Sequence, residues 1–92
     1  MLFAINYVTR PNAGTKAHTA ALMKVFGERG EVAGTVAHYA YPGGGGVVIA
    51  EQDNAVTLYE GVAPYTEWLE FDVRPVLKID DAIPVILANL GS

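Results

Sequence analysis

His38-Tyr39-Ala40-Tyr41-Pro42-Gly43-Gly44-Gly45-Gly46-Val47-Val48-Ile49-Ala50 sets two strand-forming runs on either side of a proline and four consecutive glycines. The gap is too short for a helix, so the two runs form a hairpin with a loose, glycine-permitted turn. Glu31 to Tyr41 reads as its first strand and Val47 to Gln52 as its second. A phosphate loop would place such glycines after a strand and before a helix. Here they lead into a strand, and no nucleotide site is implied.

Upstream of the hairpin, residues 2–9 (Leu-Phe-Ala-Ile-Asn-Tyr-Val-Thr) read as a strand ended by Arg10-Pro11-Asn12-Ala13-Gly14. Thr15 is the expected N-cap of a first helix and Gly30 its terminator, with Leu22, Val25 and Phe26 on one face and Ala21 and His18 at its edges. Downstream, Asp53 is the expected N-cap of a second helix, in which Ala55, Leu58, Tyr59 and Val62 share a face until Pro64 stops it. Trp68 to Val76 alternates as a fourth strand. Leu69, Phe71 and Val73 point one way, and Trp68, Glu70, Asp72 and Arg74 the other. A third helix follows, with Asp81 as N-cap, Pro84 in its first turn and Gly91 at its end. Its stripe, Ile83, Ile86, Leu87 and Leu90, is expected to dock on the body of the chain.

The order is βαββαβ plus a terminal helix. That predicts an α+β, ferredoxin-like domain over residues 1–92, with a four-stranded antiparallel sheet covered by helices on one face. Its strands then pose a question. Leu2 to Ile5 and Val47 to Ala50 are apolar on both sides, whereas a sheet covered on one face should alternate. A second copy of the chain is the simplest cover, so a homodimer with facing sheets is expected.

Composition supports a helper of this kind. Ninety-two residues leave a large share of surface exposed. With no cysteine there are no disulfides, thiolate metal sites or thiol nucleophiles, and two histidines without tight ligand spacing predict no metal. Hydrophobic content is 51% against 17% charged. Only six Lys and Arg, scattered in a chain of net charge −4, argue against nucleic acid. No stretch approaches a membrane span or a signal peptide, so no membrane association and a cytoplasmic location are expected.

On these residues the chain resembles the dimeric α+β barrel superfamily, and within it a small bacterial family of unknown function, over nearly its whole length. The resemblance rests on Met1-Leu2-Phe3, Gly45-Gly46-Val47-Val48-Ile49-Ala50-Glu51, Leu58-Tyr59, Ala63-Pro64-Tyr65 and Phe71-Asp72-Val73-Arg74-Pro75-Val76. Where that family carries Trp-His before the glycine turn and Trp after Ala-Pro, this chain has His38-Tyr39 and Tyr65. The resemblance implies two sheets around a small lumen. Relatives in the superfamily include cofactor-independent quinone-forming monooxygenases, muconolactone isomerases, polyketide cyclases and haem-degrading enzymes.

Phe3, Ile5 and Tyr7 are expected to face the helices, so Leu2, Ala4, Asn6 and Val8 face the lumen, with Ala50 also lending it space. Asn6 sits in an apolar run and needs partners. It either fixes register or orients a ligand carbonyl. His38, in Val36-Ala37-His38-Tyr39-Ala40-Tyr41, is the most versatile acid–base group if it is not merely packed. Trp68 and Tyr39 would wall the lumen, Glu70 is a base if buried, as is Glu51, and Asp72 and Arg74 are poised to pair. Two function classes follow. One is a cofactor-independent isomerase, cyclase or monooxygenase acting on a small aromatic or polyketide-like molecule, with His38 and Asn6 as its polar machinery. The other is a non-catalytic binding or accessory module with a packed lumen. A haem site with His38 as axial ligand ranks third. A cavity lined by both Asn6 and His38 would favour the enzyme.

Overall fold

Leu2 to Thr9 form the strand that organises the sheet, because it carries hydrogen-bonded neighbours on both sides. A computed structural model describes residues 1–91. In chain order they form β1 (Leu2–Thr9), α1 (Lys16–Arg29), β2 (Thr35–Ala40), β3 (Gly46–Glu51), α2 (Ala55–Val62), a single 3-10 turn at Ala63–Tyr65, β4 (Leu69–Val76) and α3 (Ile79–Leu90). The sheet order is β2-β3-β1-β4, and every neighbouring pair is antiparallel. This is the ferredoxin-like βαββαβ unit.

Local chemistry explains most boundaries. Thr15 caps α1 by accepting from the His18 N–H at 3.2 Å, and the Gly30 N–H closes the helix on the Phe26 carbonyl at 2.7 Å. The cap of α2 is Asn54 rather than Asp53. Its Oδ1 accepts from the Thr57 N–H at 2.9 Å, one residue later than expected. The hairpin turn needs glycine at Gly45, whose φ is 81°, and is closed by the Tyr41 N–H donating to the Gly45 carbonyl at 2.9 Å. β2 begins at Thr35, not Glu31, because Gly34 turns the chain there and a bulge between Thr35 and Ala37 resets the register.

Two apolar clusters fill the space between sheet and helices. Ile5, Val48, Ala50 and Val62 centre one. Ala13, Tyr65, Trp68 and Leu69 centre the other, with Leu22, Val25 and Phe26 of α1 against it. Phe3, Ile5 and Tyr7 belong to these clusters, as their alternation requires. Ala50 does too: it lies opposite Phe3 and is fully buried on the helix side, so only Ala4 lends space to the open face. Trp68 is a further correction. It precedes β4, is buried in the second cluster, and so does not stand with Glu70, Asp72 and Arg74. In α2, Leu58 and Val62 pack inward but Tyr59 is exposed, because eight residues give only two turns and one narrow inner face.

The third helix departs most from expectation. α3 starts at Ile79, so Pro84 falls inside it rather than in its first turn, and the N–H that would bond the Asp80 carbonyl is missing. None of its residues is buried. Ile83, Ile86, Leu87 and Leu90 are between 41% and 76% exposed, so the stripe does not dock on its own chain. The dimensions agree. The molecule measures 55 × 26 × 18 Å with a radius of gyration of 15.9 Å, against about 12 Å for a compact chain of this length.

Candidate functional site

Register decides which side chains can meet. Neighbours across a ladder share a face. Asn6 lies between Val47 of β3 and Asp72 of β4, and Tyr39 lies opposite Val47, so all four stand on the open face. His38 lies opposite Val48, on the helix-covered face. Asn6 and His38 are therefore on opposite sides of the sheet and line no common cavity.

The helix-covered side holds the cavity. About 440 Å³ opens between α1, α2 and the sheet, walled by Ile5, Leu22, Phe26, Val48, Val62 and Phe71. That volume falls within the range of small-molecule sites. It exists because α1 leans on the sheet through few side chains and buries none of its residues. Tyr7, His38 and Glu31 supply the polar part of the lining.

These three form a chain. The Tyr7 hydroxyl lies 2.6 Å from His38 Nε2, and His38 Nδ1 lies 3.0 Å from both Glu31 carboxylate oxygens. An ionised carboxylate only accepts, so Nδ1 carries the proton toward Glu31, and Nε2 is left to accept from the Tyr7 phenol. The ring is held further by edge contacts with Tyr7 at 5.6 Å and Phe26 at 6.2 Å between centroids. Each residue arrives by a different route: Tyr7 by the alternation of β1, His38 by the β2–β3 register, Glu31 from the turn that follows the α1 cap.

Burial raises the Tyr7 pKa above the ordinary tyrosine value, and the negative charges of Glu31 and of an ionised Tyr41 raise it further. Tyr65 also lines the cavity and is shifted upward. Burial is the main cause, the Arg29 charge opposes it, and the Glu31 charge adds to it. The Tyr65 hydroxyl is buried and has no hydrogen-bond partner. A buried donor without a partner is costly.

Residues 1–90 match the family described as a domain of unknown function (DUF3303). The chain belongs to that family. No curated protein matches it.

The remaining candidates in this DUF3303 chain stand on the open face or outside the site. The Asn6 amide oxygen accepts from the Tyr41 hydroxyl at 2.9 Å, a bond that holds the β2 end to β1. Arg74 Nε donates to Asp72 at 3.1 Å, and both side chains are exposed. Glu70 meets Arg10 at 3.4 Å and Glu51 meets the N-terminal ammonium, and both carboxylates are exposed at the surface. Tyr39 is 64% exposed. Among the described residues no group of His, Cys, Asp and Glu could hold a metal ion, and no helix is long and apolar enough to cross a membrane.

Sequence reasoning placed Tyr7 on the helix side but gave it and Glu31 no chemical role. The signal available was local: a histidine in a strand needs a partner for each nitrogen. A pH prediction follows from Tyr7. A tyrosine whose folded pKa is raised gives stability that is fully present below pH 10 and lost as pH rises through the folded value. Chemical denaturation at stepped alkaline pH should show this decline, and Tyr7→Phe should make it shallower. An identical decline in both proteins would show that Tyr7 ionises like a free phenol.

Proposed function

We propose that this chain is a cofactor-independent proton-transfer protein acting on a small aryl ketone or polyketide-like molecule in the helix-side cavity. The observation that carries the reading is the hydrogen-bonded chain Glu31–His38–Tyr7 opening on an apolar cavity of about 440 Å³. Tyr7 Oη is the base. As it takes a proton from the carbon beside the ligand carbonyl, its own proton passes to His38 Nε2, and the resulting imidazolium faces the Glu31 carboxylate. The electron pair of the broken C–H bond stays on the ligand as an enolate. Return of the proton to the same or another atom gives exchange or isomerisation, and no oxidant is needed. The logic is that of a hydroxyl activated by a histidine that a carboxylate orients.

The test uses α-tetralone, a bicyclic aryl ketone small enough for the cavity. Exchange of its α-protons for deuterium is followed by NMR. The native protein should accelerate exchange over buffer, and Tyr7→Phe and His38→Gln should each remove about 10²- to 10⁴-fold of that acceleration while melting within a few degrees of the parent. Binding of the ketone without exchange would move the chain to the non-catalytic binding class. Neither binding nor exchange, over a panel of aryl ketones, would retire the reading.

A further inference from the structure

The open sheet face and α3 both expose apolar surface that the rest of the chain leaves uncovered. On the sheet, Leu2, Ala4, Val47 and Ile49 form a half-exposed patch over β1 and β3, flanked by Tyr39 and bounded on the β4 side by Glu70, Asp72 and Arg74. On α3, Ile79, Ile83, Ile86, Leu87 and Leu90 are all exposed. The described chain exposes 6406 Å², about 1,200 Å² more than the roughly 5,200 Å² of a compact monomer of its mass. A stable dimer interface takes about 800 Å² from each partner. The uncovered surface is thus enough for an interface with another copy, and its shape, an arm beside a body, is that of an exchanged element.

We propose that α3 is an exchange arm whose apolar stripe seats on the open sheet face of a second copy, over β1 and β3, while the second copy's α3 does the same in return. The dimensions match: twelve helical residues span about 18 Å, and the six residues of β3 span about 20 Å. The same apolar patch is used twice in an isologous pair, as two-fold symmetry requires. Charge argues against a bilayer as the occupant. The first turn of α3 carries Asp80 and Asp81 and its last turn has no basic residue, whereas helices that lie on anionic membranes are rich in Lys and Arg. This arrangement meets the expectation of a homodimer but differs from bare sheet-on-sheet packing, because a helix lies on each open face. It is independent of the chemistry of the cavity.

Sedimentation equilibrium at micromolar concentration should give about twice 9.8 kDa for the native chain, and the double variant Ile86→Glu/Leu87→Glu should sediment at half that mass with an unchanged helical circular-dichroism signal. The chain has no cysteine, so single cysteines report contacts cleanly. Chains carrying Ile83→Cys and Val47→Cys, mixed and oxidised, should form the crossed disulfide in preference to either self-pair. A native monomer would overturn the proposal, as would a dimer indifferent to the charged arm. Preferential Ile83→Cys self-pairing would overturn it in favour of arm-on-arm contact, and co-sedimentation of a monomer with phosphatidylglycerol vesicles in favour of a lipid surface.

Discussion

Ile5→Ala should cost about 2–3 kcal/mol of folding stability, the lower part of the range for buried isoleucine truncations. Ile5 is 1% exposed and the largest fully buried side chain among the described residues. It stands at the centre of the sheet between Val48 and Val73, beneath Val62 of α2. Truncation removes three methyl or methylene groups from that cluster. The new space joins a cavity that already exists, because Ile5 is part of its wall, so fewer packed contacts are lost than in a solid core. A domain of this size holds on the order of 5–14 kcal/mol in all, so the change takes a large share. Urea titration should show a lower midpoint with an unchanged slope. A loss below about 1 kcal/mol would mean that the surrounding side chains collapse into the space and that the cavity is softer than its geometry indicates.

Gly46→Ala should damage the site as much as removing Tyr7 and should destabilise the sheet as well. Gly46 opens β3, is buried, and lies opposite Tyr7 on β1 and Ala40 on β2. A Cβ built there overlaps the Tyr7 hydroxyl and ring and the Tyr39 carbonyl. The Tyr39 carbonyl belongs to the backbone, so the strand must shift to relieve that overlap, and the Tyr7 hydroxyl must move as well and lose its 2.6 Å bond to His38. Overpacking of this kind costs about 1–3 kcal/mol, and loss of the activated phenol should cost proton exchange about 10²- to 10⁴-fold. The two readouts separate the causes: a destabilised variant that still exchanges deuterium at the parental rate would show that Tyr7 keeps its place and the strand has moved instead.

Some elements were legible because their signals are local. Thr15 and Gly30 bracket α1 through side-chain and backbone chemistry within one turn of the chain, and both hold. Phe3, Ile5 and Tyr7 face the helices because alternation within a strand needs only the strand. Asn54 in place of Asp53 is a one-residue error between two residues of nearly equal capping strength. Trp68 was misplaced for a related reason. Alternation assigns faces only where a strand exists, and the 3-10 turn at Ala63–Tyr65 delays the start of β4 to Leu69.

What the sequence determined by itself was the order of elements, the hairpin at the glycines, the exclusion of cysteine chemistry and the presence of more apolar surface than one small body can bury. Those follow from composition and from spacings of a few residues. What only the tertiary structure decided was which residues share a site. His38 and Asn6 sit on different strands, and the phase between them is set by the hairpin closure, which pairs His38 with Val48 while Asn6 pairs with Val47; a shift of one residue would move every side chain of a strand to the other face. Glu31 reaches His38 from seven residues upstream only because the turn at Gly34 folds it back. The destination of α3 is likewise not local. The stripe of Ile83, Ile86, Leu87 and Leu90 predicts one apolar helix face, but that this face stays exposed on its own chain depends on where β4 releases the chain, and that is a property of the assembled sheet.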